Sequence, residues 1–284
     1  MTNPLSLDKY GISIGEGHPL VVMAGLNVLE DETLAMTVGH HLKAVCEKIG
    51  LPYIFKASFD KANRSSITSY RGPGMDEGLK ILSKVKAELG VPVVTDYHEI
   101  DQAVPVSEVA EVVQVPAFLA RQTDLVVAGA KAVEAAGGWL HVKKPQFLAP
   151  WDVKNIISKV GEVTTKNPTL LCERGVSFGY NNLVVDMLGI QGMQALGVPV
   201  TIDATHAVQL PGADPRTSGG STGGRREGVA VIAKSAVAAG ADGGFLEFHT
   251  DPDKALCDGP SCLPLDSAED LLTTLKGLHE LVRS

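Results

Sequence analysis

The chain has 284 residues, a formal net charge of −8, 44% hydrophobic residues and only 5% aromatic ones. That length suits one α/β barrel on an aliphatic core, and the acidic balance argues against a nucleic-acid partner, which needs a basic footprint. MTNPLSLDKYGISIGEGHPL lacks the basic-then-apolar order of a secretory signal, and no apolar run reaches the roughly 18 residues of a membrane span, so a soluble cytoplasmic protein without a membrane partner is expected.

In chain order, the first 18 residues form an N-terminal extension, in which ISIGEGHPL is expected to fold as a small hairpin covering one end of the fold. Strand-like apolar runs follow at 20–25, 53–57, 91–96, 111–115, 139–143, 169–173, 198–203 and 244–248, with helical patterns such as 32–49, 77–89 and 123–136 between them. Near-continuous apolar strands alternating with helices mean a parallel sheet covered on both faces. Eight such units predict a (β/α)8 TIM barrel, a single domain over 1–284, with an open doubly wound sheet as the alternative. The Gly/Ser/Pro-rich stretch PGADPRTSGGSTGG at 211–224 predicts a flexible loop after the seventh strand. Cys46, Cys172, Cys257 and Cys262 have neither zinc-ribbon nor redox spacing and read as reduced thiols.

Barrel active sites form at the C-terminal ends of the strands. Every predicted strand ends in polar residues: Asn27; Lys56 and Ser58; Asp96 and His98; Gln114; Lys143 and Lys144; Glu173 and Arg174; Asp203 and His206; Glu247 and His249. Lys56, Lys61, Arg64, Lys143, Lys144 and Arg174 would give an acidic chain one cationic mouth, suited to phosphates. Adjacent residues on a strand point opposite ways, so only one of Lys143 and Lys144 faces that mouth. His206, Glu247 and Asp258 form a three-ligand set that would suit a divalent metal, although His206 serves equally as a neutral hydrogen-bonding or acid–base group.

GLNVLE (25–30), YIFKASFDKANRSSITSYRGPG (53–74), TDYHE (95–99), QVPAFLARQTDL (114–125), VKKPQF (142–147), CERGVSFGYNNLVVDM (172–187), DATHAVQ (203–209) and CDGPSCLPL (257–265) together resemble the 3-deoxy-D-manno-octulosonate 8-phosphate synthases over nearly the whole chain. The resemblance implies a barrel enzyme that condenses phosphoenolpyruvate with D-arabinose 5-phosphate for the lipopolysaccharide core. It implies that Ser58, Lys61, Gln114, Ala117, Lys143, Arg174 and Gln209 hold phosphoenolpyruvate. Asn63, Arg64, Ser65 and Glu247, together with Lys56, Asp96 and Asp258, would meet the sugar phosphate. Lys56, Asp96, His206, Asp258 and Asn27 would be the catalytic set. It also implies a homo-oligomer, usually a tetramer, in which Arg64 reaches a neighbouring subunit's site.

The related shikimate-pathway synthases read Lys-Pro-Arg-Thr where this chain reads Lys61-Ala62-Asn63-Arg64, which favours the five-carbon sugar. The metal-dependent branch carries Cys where this chain has Asn27, a poor ligand for a borderline-soft metal, so no metal and no cofactor are expected. Two features depart from the family pattern: Tyr97 stands where Val is common, and the 211–224 segment is longer. The competing readings are an inactive barrel that senses sugar phosphates and a Schiff-base aldolase working through Lys143 or Lys144.

Overall fold

The computed structural model describes residues 2–214 and 222–283. Its centre is a closed parallel barrel of β1 (Val21–Val28), β2 (Tyr53–Ser58), β3 (Val93–Asp96), β4 (Val112–Val115), β5 (Trp139–Lys143), β6 (Thr169–Glu173), β7 (Val200–Asp203) and β8 (Gly243–His249). Each strand pairs with the next, and β8 closes the ring against both β7 and β1. The outer ring comprises α1 (Glu32–Ile49), α2 (Met75–Leu89), α3 (Ala103–Val109), α4 (Thr123–Ala136), α5 (Lys154–Gly161), α6 (Met187–Gln194), α7 (Arg226–Ala238) and α8 (Ala268–Arg283). The barrel expected from the alternating pattern is therefore the fold, and the open sheet is excluded by the closing pair. Among the described residues no helix is long and apolar enough to cross a membrane.

Local chemistry sets the ends of these elements. Asp31 caps α1 by accepting the Leu34 amide at 2.7 Å, and Gly50 ends the helix at φ 74°, a left-handed conformation that glycine adopts without a Cβ clash. Pro92 and Pro199 lack an N–H, so β3 and β7 begin after them rather than at 91 and 198. Their carbonyls still serve the neighbouring strands, accepting from Phe55 and Leu171 at 3.0 Å each.

An N-terminal hairpin is present, but its arms are Leu5–Leu7 and Ile12–Ile14, with Leu5 opposite Ile14. ISIGEGHPL supplies only one arm, because the chain reverses before it, through a short 3-10 turn at Asp8–Tyr10. Leu7, Ile12 and Ile14 pack with Val21, Met23, Ile54, Val94, Val112, Trp139 and Leu170 to form an apolar plug at the N-terminal end of the barrel. The Trp139 indole N–H donates to the Ser6 carbonyl at 3.2 Å, fastening the hairpin there.

Candidate active site

Strand alternation places every second side chain inside the barrel. Along β5, Trp139 belongs to the inner cluster, Leu140 and Val142 to the outer one, and Lys143 reaches the mouth. The interior thus runs from apolar at the N-terminal end to charged at the C-terminal end. Lys56, Asp96, Gln114, Lys143, Arg174 and Asp203 are all buried yet line a cavity of about 470 Å³ at that mouth.

Most of the expected residues meet at this cavity. Lys56, Lys61, Asn63, Arg64, Ser65, Asp96, Gln114, Ala117, Lys143, Arg174, His206, Gln209 and Asp258 line it. Three do not reach its wall. Ser58 has no exposed surface, and its hydroxyl has no partner among the described residues. Glu247 is fully buried, with one oxygen taken by Lys56 and the other by Asn27, which leaves it no reach toward a ligand. Asn27 lies beside it in a β-bulge. Gly25 stands opposite Lys56 and Val28 opposite Ser58, so β1 carries one more residue than β2 across that stretch, and the bulge turns the Asn27 amide inward. A Cβ on Gly25 would sit 2.1 Å from the Lys56 carbonyl oxygen, so only glycine permits the close seam.

Lys144 leaves the cationic mouth, as its place on the opposite strand face requires. It is fully buried, its ammonium 3.5 Å from Glu173, which removes one of the two amines available to a Schiff-base mechanism. Tyr97 also points outward, donating to the Leu125 carbonyl at 2.6 Å over Gly129, where any Cβ would collide with its hydroxyl. Half of the loop expected at 211–224, residues 215–221, lies outside the described residues; on either side of it, Gln209–Leu210 pairs with Gly223–Gly224. His98, Asp203, Gln146, Phe118 and Cys257 line the cavity without having been assigned a role from sequence. His98 and Asp203 already stood among the strand ends. Cys257 looked like one of four reduced thiols, and here its sulfur accepts from Arg64 at 2.5 Å.

Three ionic networks hold the site. The Lys143 ammonium donates to Asp203 Oδ2, which lies 2.7 Å from His206 Nδ1, while Asp203 Oδ1 accepts the His206 amide at 2.9 Å. The Lys56 ammonium donates to Glu247 Oε1 at 2.5 Å and to the Asn27 carbonyl at 2.8 Å. Asp96 accepts from His98 Nε2 at 3.0 Å. Burial pushes the Lys56 ammonium below its ordinary value, with Lys61 adding to the effect and Glu247 and Asp96 opposing it. Burial would raise Glu247, but His206, Lys56 and Lys61 bring it down to about 2. Asp203 is likewise held well below the usual carboxylate range, chiefly by His206 and Lys143 against the effect of burial. Lys61 is lifted above its ordinary value by Glu247 and Asp96, although burial works against it. These carboxylates are therefore anionic at neutral pH.

Arg174 differs from the other cations. Its Nη2 donates to Gln209 Oε1 at 2.9 Å, but Nη1 is buried with no hydrogen-bond partner among the described residues. A buried guanidinium with an idle donor facing a cavity is prepared for an anion's oxygen.

The Asp96–His98 pair gives a pH test. Burial would lower His98, but the hydrogen bond and charge of Asp96 raise it above its ordinary 6.5. A raised folded value stabilises the protein fully below about pH 6.5, and that contribution is lost as pH rises through the folded value. Asp96, lowered by His98 and then Lys61 and Lys56 against burial, contributes the opposite way, its share lost only in strong acid. His98→Gln should therefore lower urea stability more at pH 5.5 than at pH 9, and an equal loss at both would show that the pair is not ionic.

A closed barrel with a cationic cavity at its C-terminal mouth defines this chain as an enzyme-type (β/α)8 barrel for polyanionic small molecules. The family model described as the DAHP synthetase I family matches residues 3–284, and the chain belongs to that family. The chain is similar to three proteins named 2-dehydro-3-deoxyphosphooctonate aldolase. The protein from Shewanella frigidimarina is 53% identical over 96% of this chain and 93% of its own length. The one from Shewanella denitrificans is 51% identical over 99% and 95%, and the one from Shewanella baltica 53% identical over 100% and 97%.

Proposed function

We propose that this chain condenses phosphoenolpyruvate with D-arabinose 5-phosphate and water to give 3-deoxy-D-manno-octulosonate 8-phosphate and inorganic phosphate, for lipopolysaccharide core synthesis in the cytoplasm. The observation that carries the reading is the match over essentially the whole chain to relatives named for that eight-carbon product, joined to a cavity holding Lys61, Arg64, Lys143 and Arg174 in a chain of net charge −8. A bond forms between the enol carbon of phosphoenolpyruvate and the aldehyde carbon, water adds to the neighbouring carbon, and phosphate leaves. Holding the two substrates together does most of that work. Lys61, Lys143 and Arg174 bind the carboxylate and phosphate of phosphoenolpyruvate and reduce the repulsion between two polyanions, with Gln114, Ala117 and Gln209 shaping the pocket. Asn63, Arg64 and Ser65 take the sugar phosphate. Lys56, its ammonium weakened by burial, protonates the developing alkoxide, and Asp96, His206 and Asp258 handle the water and hydroxyl protons.

Metal independence is part of this reading. Asn27 Nδ2 lies 2.6 Å from Glu247 Oε2, 3.1 Å from Asp258 Oδ2 and 3.5 Å from His206 Nε2, so an amide donor sits between the groups that would have to close on a cation. Among the described residues no three His, Cys, Asp or Glu are arranged to hold a metal. The deciding assay is phosphate release from phosphoenolpyruvate with arabinose 5-phosphate or erythrose 4-phosphate, each with and without EDTA. We expect turnover with the five-carbon sugar alone, unchanged by chelation. Activity lost to EDTA and restored by a divalent ion would falsify the metal-free reading.

The reading also includes a tetramer. Phe118, Phe147, Trp151, Phe178, Tyr180 and Leu188 are large, apolar and exposed, and all follow β4, β5 or β6 at the mouth end. Where such side chains gather into one contiguous patch, they mark an interface. Arg64 lines its own chain's cavity, which supports a role at that site besides any across an interface. For Arg64→Ala, we expect KM for arabinose 5-phosphate to rise on the order of tenfold or more, the scale of one charge-assisted contact, with KM for phosphoenolpyruvate nearly unchanged. A defect confined to phosphoenolpyruvate would contradict the assignment.

A further inference from the structure

Phe245, on β8 opposite Asp203, has no exposed surface and lies beneath the cavity rather than on its wall. The Lys143 ammonium is 3.4 Å from its ring centroid and the Lys56 ammonium 5.3 Å. Both fall within the roughly 6 Å over which an aromatic quadrupole attracts a cation, and the attraction is strongest where water is excluded. The His141 ring stacks on Phe245 with centroids 5.7 Å apart and planes 25° apart. His141 is itself buried, bonded to Thr201 Oγ1 at 2.9 Å, and kept neutral by burial and by the nearby Lys143. The ring is thus fixed in a neutral layer directly under two of the site's ammonium groups.

Each of those ammoniums also has a carboxylate partner, Asp203 for Lys143 and Glu247 for Lys56. A carboxylate holds a cation well but repels the polyanion that must displace it. An aromatic face attracts the cation without bearing net charge. We propose that Phe245 is a positioning residue: its ring keeps the Lys143 and Lys56 ammonium groups in place at the cavity floor while leaving them free for the anionic substrate. The proposal rests on the reaction proposed above, and it concerns the ring's electrons rather than its bulk.

The test separates those two properties. Phe245 is replaced by 4-fluoro-, 3,5-difluoro- and 3,4,5-trifluorophenylalanine, which nearly keep the shape while draining the quadrupole, and by leucine as Phe245→Leu. Phosphate release and calorimetric phosphoenolpyruvate affinity are measured alongside the thermal midpoint. We expect kcat/KM to fall stepwise with fluorine number, reaching about tenfold at three fluorines, with the midpoint unchanged. Phe245→Leu should lose at least as much. Equal kcat/KM across the fluorinated series, with a loss only in Phe245→Leu, would make the ring a packing element and overturn the proposal alone. A wild-type protein that neither binds phosphoenolpyruvate nor releases phosphate would overturn the reaction reading, and this proposal with it.

Discussion

Arg174→Met should give a protein that resists urea better than the wild type and has lost its turnover. Arg174 is buried, one of its terminal nitrogens has no partner among the described residues, and its guanidinium is pulled below its ordinary value by burial, despite Asp203, Asp258 and Glu173 nearby. A buried charge whose surroundings do not fully repay its desolvation weakens the fold, and an apolar chain of similar length relieves that weakness. The expected gain is about 1 to 2 kcal/mol in the free energy from urea unfolding. The same change removes the donor proposed to grip phosphoenolpyruvate. A bidentate contact to an anion is worth two charge-assisted hydrogen bonds, so kcat/KM should fall by about a thousandfold. A variant less stable than the wild type would show the guanidinium to be a structural tie and sink its assignment as an anion receptor.

Much of the barrel was legible because its strands are short apolar runs with sharp ends. The runs 139–143 and 169–173 coincide with β5 and β6, and the patterns at 32–49 and 123–136 with α1 and α4. Where the reading overran, at 91 and 198, a proline inside the run stops the ladder, while β-branched neighbours keep the local pattern strand-like. The N-terminal hairpin was placed too late because its turn, DKYG, carries no Asn-Gly or Pro-Gly signal, and Gly11 alone takes the left-handed turn at φ 63°.

The site divides differently. Residues at strand ends were legible, because closure of the barrel brings every strand end to one mouth. The pairings were not. Lys143 meets Asp203 and Lys56 meets Glu247 only because β5 and β7, and likewise β2 and β8, are next-but-one neighbours around the closed ring, a relation absent from local sequence. The bulge that aims Asn27 depends on a one-residue offset between β1 and β2. Phe245 looked like one more apolar residue in a strand, since nothing in GGFLEFH tells which phenylalanine points inward until the strand's phase in the barrel is known.

Those buried ion pairs set up the second large expected effect. In Lys143→Ala the Asp203 carboxylate stays fully buried, keeping its ion pair with His206 and the more distant charge of Arg174 but losing its ammonium partner. Breaking a buried pair from one side leaves an uncompensated charge, which destabilises by about 3 kcal/mol or somewhat more. The pH dependence follows from Asp203. In the wild type its folded value lies well below the ordinary 3.8, so its contribution is present above that value and is lost as pH falls through the folded one. Without Lys143 that contribution shrinks, and the stability gap between variant and wild type should be wide at pH 7 and narrow only once pH falls below 3.8, where Asp203 takes up its proton. Adding Asp203→Asn removes the orphaned charge and should recover most of the stability at pH 7. Turnover should stay down by about a thousandfold in both single and double variants, because the ammonium proposed to hold phosphoenolpyruvate is still missing. Urea curves at two pH values and phosphate-release assays on the three proteins decide the matter. If the double variant regains activity, Lys143 serves only to neutralise Asp203, and its place in phosphoenolpyruvate binding is wrong.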